Sequence, residues 1–108
     1  MKKILIQTLI ISLFFISFNA RAEIKHIKDG NVDAKVKLVV FESLTCSHCG
    51  DFHRDIYPKL KTDFIDKNLI SIEYRNFPLD IAAFNAAKIA HCRNDGKSEI
   101  LHHLYNNQ

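Results

Sequence analysis

The sequence predicts an α/β fold, a βαβ unit followed by further helices. Three observations carry this. Val36 to Phe41 is an apolar, β-branched run interrupted only by Lys37. Downstream, Cys49, Phe52, Ile56, Leu60 and Phe64 recur three or four residues apart, the spacing of one helix face. Leu69 to Phe77 then alternates apolar and polar residues, the period of a strand. Strand, helix and strand in that order form a crossover whose hand is almost always right.

The elements follow in chain order. Lys2 and Lys3 open the chain, Ile4 to Phe18 is mostly apolar, and Ala20-Arg21-Ala22 is a small-x-small pattern. This is the layout of a secretory signal peptide over residues 1–22, with cleavage expected after Ala22. The 15-residue apolar run carries Gln7, Thr8, Ser12 and Ser17, and falls short of the roughly 20 residues a membrane span needs. Residues 1–22 hold Lys2, Lys3 and Arg21 and no acid, so the fifteen basic and twelve acidic residues of the whole chain become twelve and twelve in residues 23–108. Such a balance gives no electrostatic footprint for nucleic acid.

Within the single expected domain, 23–108, Glu23 to Lys28 alternates weakly and reads as a short edge strand. Asp29-Gly30-Asn31 reads as a turn. Val36 to Glu42 is the first long strand, and its near-continuous apolar character suits a sheet covered on both faces. The helix after Cys46 is expected to run to about Asp66, kinked at Pro58 and ended by Lys67-Asn68. Leu69 to Phe77 is the next strand, stopped by Pro78. Asp80 is placed to cap a helix of small residues, Ala83, Ala86, Ala87 and Ala90, with Gly96 as its C-terminal stop. Ser98 is placed to cap a last helix with Ile100, Leu101, Leu104 and Tyr105.

The chemistry concentrates in Thr45-Cys46-Ser47-His48-Cys49-Gly50, where the first long strand hands over to a helix. The first turn of a helix has N–H groups without internal partners and a positive dipole end. A thiolate there is stabilised, and its pKa falls from about 8.5 towards about 3.5–7.5. The spacing brings Cys49 within reach of Cys46, so the two can close a small redox-active disulfide or open it against a partner's. Cys46, at the helix start, is the expected attacking sulfur, and Cys49, one turn in, the resolving one. His48 lies between them as a group that favours the thiolate. Stabilising the reduced form makes the disulfide more oxidising, which points to donation of disulfides. Export fits that direction, because disulfides persist outside the cytosol.

These residues resemble the Cys-Pro-His-Cys centre of the DsbA-like thiol–disulfide oxidoreductases. Ser43-Leu44-Thr45, His53, Tyr57-Pro58, Arg75-Asn76-Phe77-Pro78-Leu79-Asp80 and the alanine-rich helix ending in Cys92 extend the likeness over roughly 36–92. The resemblance implies a thioredoxin-like fold and reduced exported proteins as substrates. It further implies re-oxidation by a membrane thiol oxidase in the periplasm, with no organic cofactor and no metal. Ser47 stands where the family commonly has proline. Val40 stands where it commonly has a buried acid, and Glu42, two residues on, is the candidate substitute that tunes the cysteines. The family's last two strands, closing helix and cis-proline loop have no counterpart here. The expectation is therefore a partial thioredoxin-like fold, truncated after its N-terminal half, with a separate C-terminal fragment as a conceivable partner.

Two other readings stand beside an exported oxidoreductase. One is a non-catalytic remnant of such an enzyme. The other is a small zinc module, which needs two more ligands from Cys92, His53, His91, His102 or His103 and has no second Cys-x-x-Cys to supply them. On sequence alone His53 reads as a surface or packing residue, His102-His103 as a solvated helix face, and Cys92 as a small buried apolar residue.

Overall fold

The computed structural model describes Met1 and residues 23–108. Residues 2–22 of the expected signal peptide, and with them the cleavage point, lie outside the described residues. Strands β1 (Ile27–Asp29), β2 (Val36–Glu42) and β3 (Ile70–Asn76) form one sheet of order β1-β3-β2. β2 and β3 run parallel, from Val36 beside Ile70 to Glu42 beside Asn76. β1 lies antiparallel on the other side of β3, with Ile27 beside Tyr74. The partial thioredoxin-like βαβ arrangement expected from the sequence is thus present, with helices α2 (Ile81–Ala90) and α3 (Glu99–Asn106) following it.

β3 alternates as its sequence requires: Ile70, Ile72 and Tyr74 point into the core, where they meet Ile27, Ile65, Ala87, Ala90, Leu101 and Tyr105. β2 does not match its expectation. It forms an edge of the sheet, and Val36, Val39 and Phe41 are about half exposed or more. Strand composition reports how a strand sits in a sheet only when both faces are covered. Among the described residues, nothing covers these side chains of β2.

The crossover helix α1, residues 47–65, is continuous but not regular. It passes through Ser47–Asp51 as α-helix, Phe52–Ile56 as a π turn, Tyr57–Leu60 as α-helix and Lys61–Ile65 as a second π turn. Tyr57 N–H donates to the Phe52 carbonyl and Asp66 N–H to that of Lys61, both five residues back. Each wide turn accommodates an extra residue and rotates the face beyond it. The expected apolar face is consequently broken: Ile56 and Phe64 are exposed, while His53 and Ile65 turn inward. Pro58 follows the first π turn, and having no N–H it makes no bond back along the helix.

The remaining joints are local. Asn68, at φ 58°, ends α1 in the left-handed region. The Asp80 side chain caps α2, accepting from Ala83 N–H at 2.7 Å. Small Ala83, Ala87 and Ala90 let α2 approach the core closely. α2 stops at Ala90, before Gly96, which lies in the following loop at φ 77°. There the Gly96 carbonyl accepts from Lys28 N–H at 3.0 Å. Cys92, expected to be buried, is exposed in that loop, because α2 has already ended. Ser98 precedes α3 without capping it; its hydroxyl donates to Asp29 instead.

Candidate redox site

The chain leaves β2 at Glu42 and turns through Ser43, Leu44 and Thr45 into α1. Cys46 is the N-cap of α1, with extended backbone at φ −89° and ψ 115°. Its carbonyl accepts from Cys49 N–H at 3.1 Å and Gly50 N–H at 3.2 Å, so the first turn brings Cys49 back over Cys46. Thr45 Oγ1 donates to Asp80 Oδ2 at 2.8 Å, which ties this turn to the start of α2.

The two thiols are free and differ in environment. The Cys49 thiol and the first-turn N–H groups of Cys49 and His48 lie beside the Cys46 sulfur. These hold the Cys46 thiol below its ordinary value. Burial pushes the Cys49 thiol up, and the neighbouring Cys46 and the Glu42 charge push the same way. The pair is therefore polarised into a sulfur at the helix start held towards its thiolate and an inner sulfur held towards its proton. The His48 ring is exposed and lies 3.6 Å from Asp51, so the contribution from this residue seen at Cys46 is that of its backbone N–H.

Beneath the turn lies a polar chain that sequence reasoning missed. Glu42 is 4 % exposed and His53 2 % exposed. His53 Nε2 meets Glu42 Oε2 at 2.7 Å, and His53 Nδ1 meets His102 Nδ1 at 2.9 Å. His102 Nε2 reaches Asp29 Oδ2 at 2.8 Å. The hydroxyls of Tyr57 and Tyr74 donate to the same Asp29 oxygen at 3.0 and 2.9 Å. Tyr105 stacks on His53 with centroids 4.0 Å apart, and Tyr57 stacks on His102 at the same separation. His53 is thus a buried link, and His102 is half of a partly buried pair rather than a solvated residue; of the two adjacent histidines, His103 is the one that faces solvent. Among the described residues no three His, Cys, Asp or Glu side chains are disposed to hold a metal ion.

A family model described as thioredoxin matches residues 23–108. The chain belongs to the thioredoxin family, in its DsbA-like branch. A putative protein-disulfide oxidoreductase of Rickettsia bellii is 38% identical over 74 residues, 68% of this chain and 29% of that protein. Disulfide bond formation protein D of Bacillus subtilis is 40% identical over 47 residues, 44% of this chain and 21% of the relative. Among solved structures, Wolbachia pipientis alpha-DsbA1 matches at 31% identity and a TM-score of 0.68, over 75% of this chain and 42% of that one. A protein-disulfide isomerase from Novosphingobium aromaticivorans matches at 31% and 0.72, over 77% and 43%. The chain thus spans less than a third of the length of these curated relatives.

In this DsbA-like chain Asp29 is a conformational anchor that joins β1 to α1, β3 and α3. Burial alone would raise its carboxyl; hydrogen bonds from His102, Ser98 and Tyr74, with the charge of His102, outweigh that and hold it at about 2. A carboxyl depressed in the folded state stabilises fully above its unfolded value and loses that contribution as pH falls through its folded value. The expected result is acid unfolding that sets in between about pH 4 and pH 2. Asp29→Asn should flatten that part of the stability-against-pH curve, as followed by circular dichroism in urea.

Asp29 was legible only as a turn residue, because its partners come from α1, β3 and α3. The one local signal for His53 was its position four residues after Cys49, on the same side of a helix.

Proposed function

We propose that this chain carries the redox centre of an exported thiol–disulfide oxidoreductase that donates the Cys46–Cys49 disulfide to reduced proteins. The observation that carries the reading is the polarised pair: an N-cap sulfur held towards its thiolate beside an inner sulfur held towards its proton. A substrate thiolate attacks Cys46 Sγ, the Cys46–Cys49 bond breaks, and Cys49 leaves as a thiolate that takes a proton. A second substrate thiolate then attacks the substrate sulfur of the mixed disulfide and releases the Cys46 thiolate. Two electrons pass from the substrate dithiol to the pair, and a membrane thiol oxidase returns it to the disulfide. His48 and Glu42 tune the two sulfurs, the first through its backbone N–H and the second through its charge. Residues 1–22 direct the chain to the periplasm and are removed after Ala22.

The open edge of β2, with exposed Val36, Val39 and Phe41, supports a second element of the reading: a further polypeptide segment pairs with β2 and completes the sheet. The same exposed edge favours the rival reading, a non-catalytic piece.

Equilibration with mixtures of reduced and oxidised glutathione, quenched in acid and resolved by mass, separates the two. The expected result is one internal disulfide between Cys46 and Cys49 that stays reduced until the mixture is strongly oxidising. Two independent glutathione adducts on Cys46 and Cys49, with no internal disulfide, would contradict the proposal.

A further inference from the structure

We propose that the hydrogen-bonded chain Glu42–His53–His102–Asp29, buried at Glu42 and His53 and partly exposed at His102 and Asp29, is a proton path that links Cys49 to an open groove between β1, α1 and α3. The inference rests on the redox reading above and adds what that reading leaves unassigned, the source of the proton Cys49 needs when it leaves.

The first argument is continuity. The chain spans four elements: Glu42 ends β2, His53 lies in the first π turn of α1, His102 is on α3, and Asp29 ends β1. Each link is a hydrogen bond of 2.7 to 2.9 Å. At the inner end, Glu42 Oε1 is buried and has no hydrogen-bond partner. A buried carboxylate oxygen without a partner is costly, and it stands ready to accept or donate one proton. The Glu42 partner His53, 2.7 Å from Oε2, stands four residues after Cys49 on α1, about one helical turn away. At the outer end, Asp29 and His102 line a groove of about 910 Å³, bordered by Lys28, Lys61 and Lys97.

The second argument is a proton inventory. A carboxylate only accepts, so Glu42 needs a proton on His53 Nε2, and Asp29 needs one on His102 Nε2. The two Nδ1 atoms face each other at 2.9 Å, so one of them must carry a proton and the other must not. All links are satisfied together only when the two rings hold three protons, one more than two neutral imidazoles. That extra proton has a seat on the Nδ1 of either ring. The Tyr105 and Tyr57 stacks hold both rings in place for it.

When substrate attack on Cys46 expels the Cys49 thiolate, the His53 Nε2 proton moves onto the Glu42 carboxylate, and the carboxyl group hands it on to Cys49, directly or through one water. His53 is refilled from the shared Nδ1 proton and His102, and His102 from solvent at the groove. During re-oxidation the same proton travels outwards. The titratable groups facing the path are Cys49 and Tyr57 from α1, Tyr74 from β3 and Tyr105 from α3. The tyrosine hydroxyls are pushed well above their ordinary values, mainly by burial, and stay protonated throughout.

The test compares the full chain with His102→Gln and with His103→Gln, an exposed neighbour outside the path. Reduced glutathione reduces the Cys46–Cys49 disulfide across pH about 5 to about 8, and the rate is expressed per glutathione thiolate. We expect His102→Gln to be about tenfold slower or more at neutral pH, a modest share of what general acid catalysis supplies. Raising the buffer acid should restore its rate, and His103→Gln should behave as the parent chain does. Equal rates in His102→Gln and the parent would overturn the path and leave the redox reading standing. So would a slower rate that ignores buffer and keeps the parent's pH profile, the mark of a structural role. A parent disulfide that glutathione does not reduce would overturn both. Nitrogen-15 NMR of the unsubstituted chain gives an independent reading: both Nε2 atoms protonated and the two Nδ1 atoms sharing one proton. Two neutral rings, each with a single fixed N–H, would also overturn it.

Discussion

Cys46→Ser should abolish disulfide exchange altogether, whereas Cys49→Ala should keep the attack and lose the release. The asymmetry follows from position. Cys46 occupies the N-cap position of α1, stands beside the first-turn N–H groups of His48 and Cys49, and is the one of the pair held towards its thiolate. A serine hydroxyl there cannot form the mixed disulfide. Cys49 is the inner partner, raised by burial, and its role is to leave and later to return. Without it, a thiol attached to Cys46 has no internal nucleophile to displace it. The expected observation is a mixed disulfide with glutathione that accumulates in Cys49→Ala, is absent in Cys46→Ser and is transient in the parent. Equal, stable adducts on both single variants would show that the two sulfurs are equivalent.

Ile72→Ala should destabilise the fold by about 2–5 kcal/mol. Ile72 sits at the middle of the central strand, 1 % exposed, beside Leu38 on β2 and Asp29 on β1. Truncation leaves a cavity that the flanking strands cannot close without losing register. For a domain of this size that loss is a large fraction of the total stability, which is about 5–15 kcal/mol in native proteins. Phe41→Ala on the exposed part of β2 should change stability by less than about 0.5 kcal/mol. Urea midpoints of the two variants measure both effects; a loss at Phe41 matching that at Ile72 would show that β2 is covered in solution.

The contrast between those residues also shows what the sequence could reveal. The β3 alternation, the Asp80 cap, and the Leu101 and Tyr105 face of α3 were legible, because each depends on residues close in the chain. The cysteine pair was legible for the same reason: a strand end, a helix start and two residues between the sulfurs place it. The apolar run of β2 was misread because composition does not say whether a strand ends up at an edge. The inner face of α1 was misread because two π turns shift its phase, so that His53 faces inward where a regular helix would have shown Ile56 and Phe64. Of the polar chain only Glu42 was singled out, as the acid at the end of β2; its connection to the other three residues was not legible. Asp29 and His102 are 73 residues apart, and only the packing of α3 against α1 and β1 brings them together.

The most direct test of the account is the rate at which iodoacetamide alkylates each cysteine of the reduced chain as pH is varied. The thiolate is the reacting species, so each profile reports one sulfur's titration. Cys46 is expected to react at pH values below those an ordinary thiol requires and Cys49 only above them, and Cys46→Ser should remove the low-pH reaction. Cys46 and Cys49 profiles that coincide at the ordinary thiol value would contradict the account, because the polarisation of the pair is what the proposed chemistry depends on.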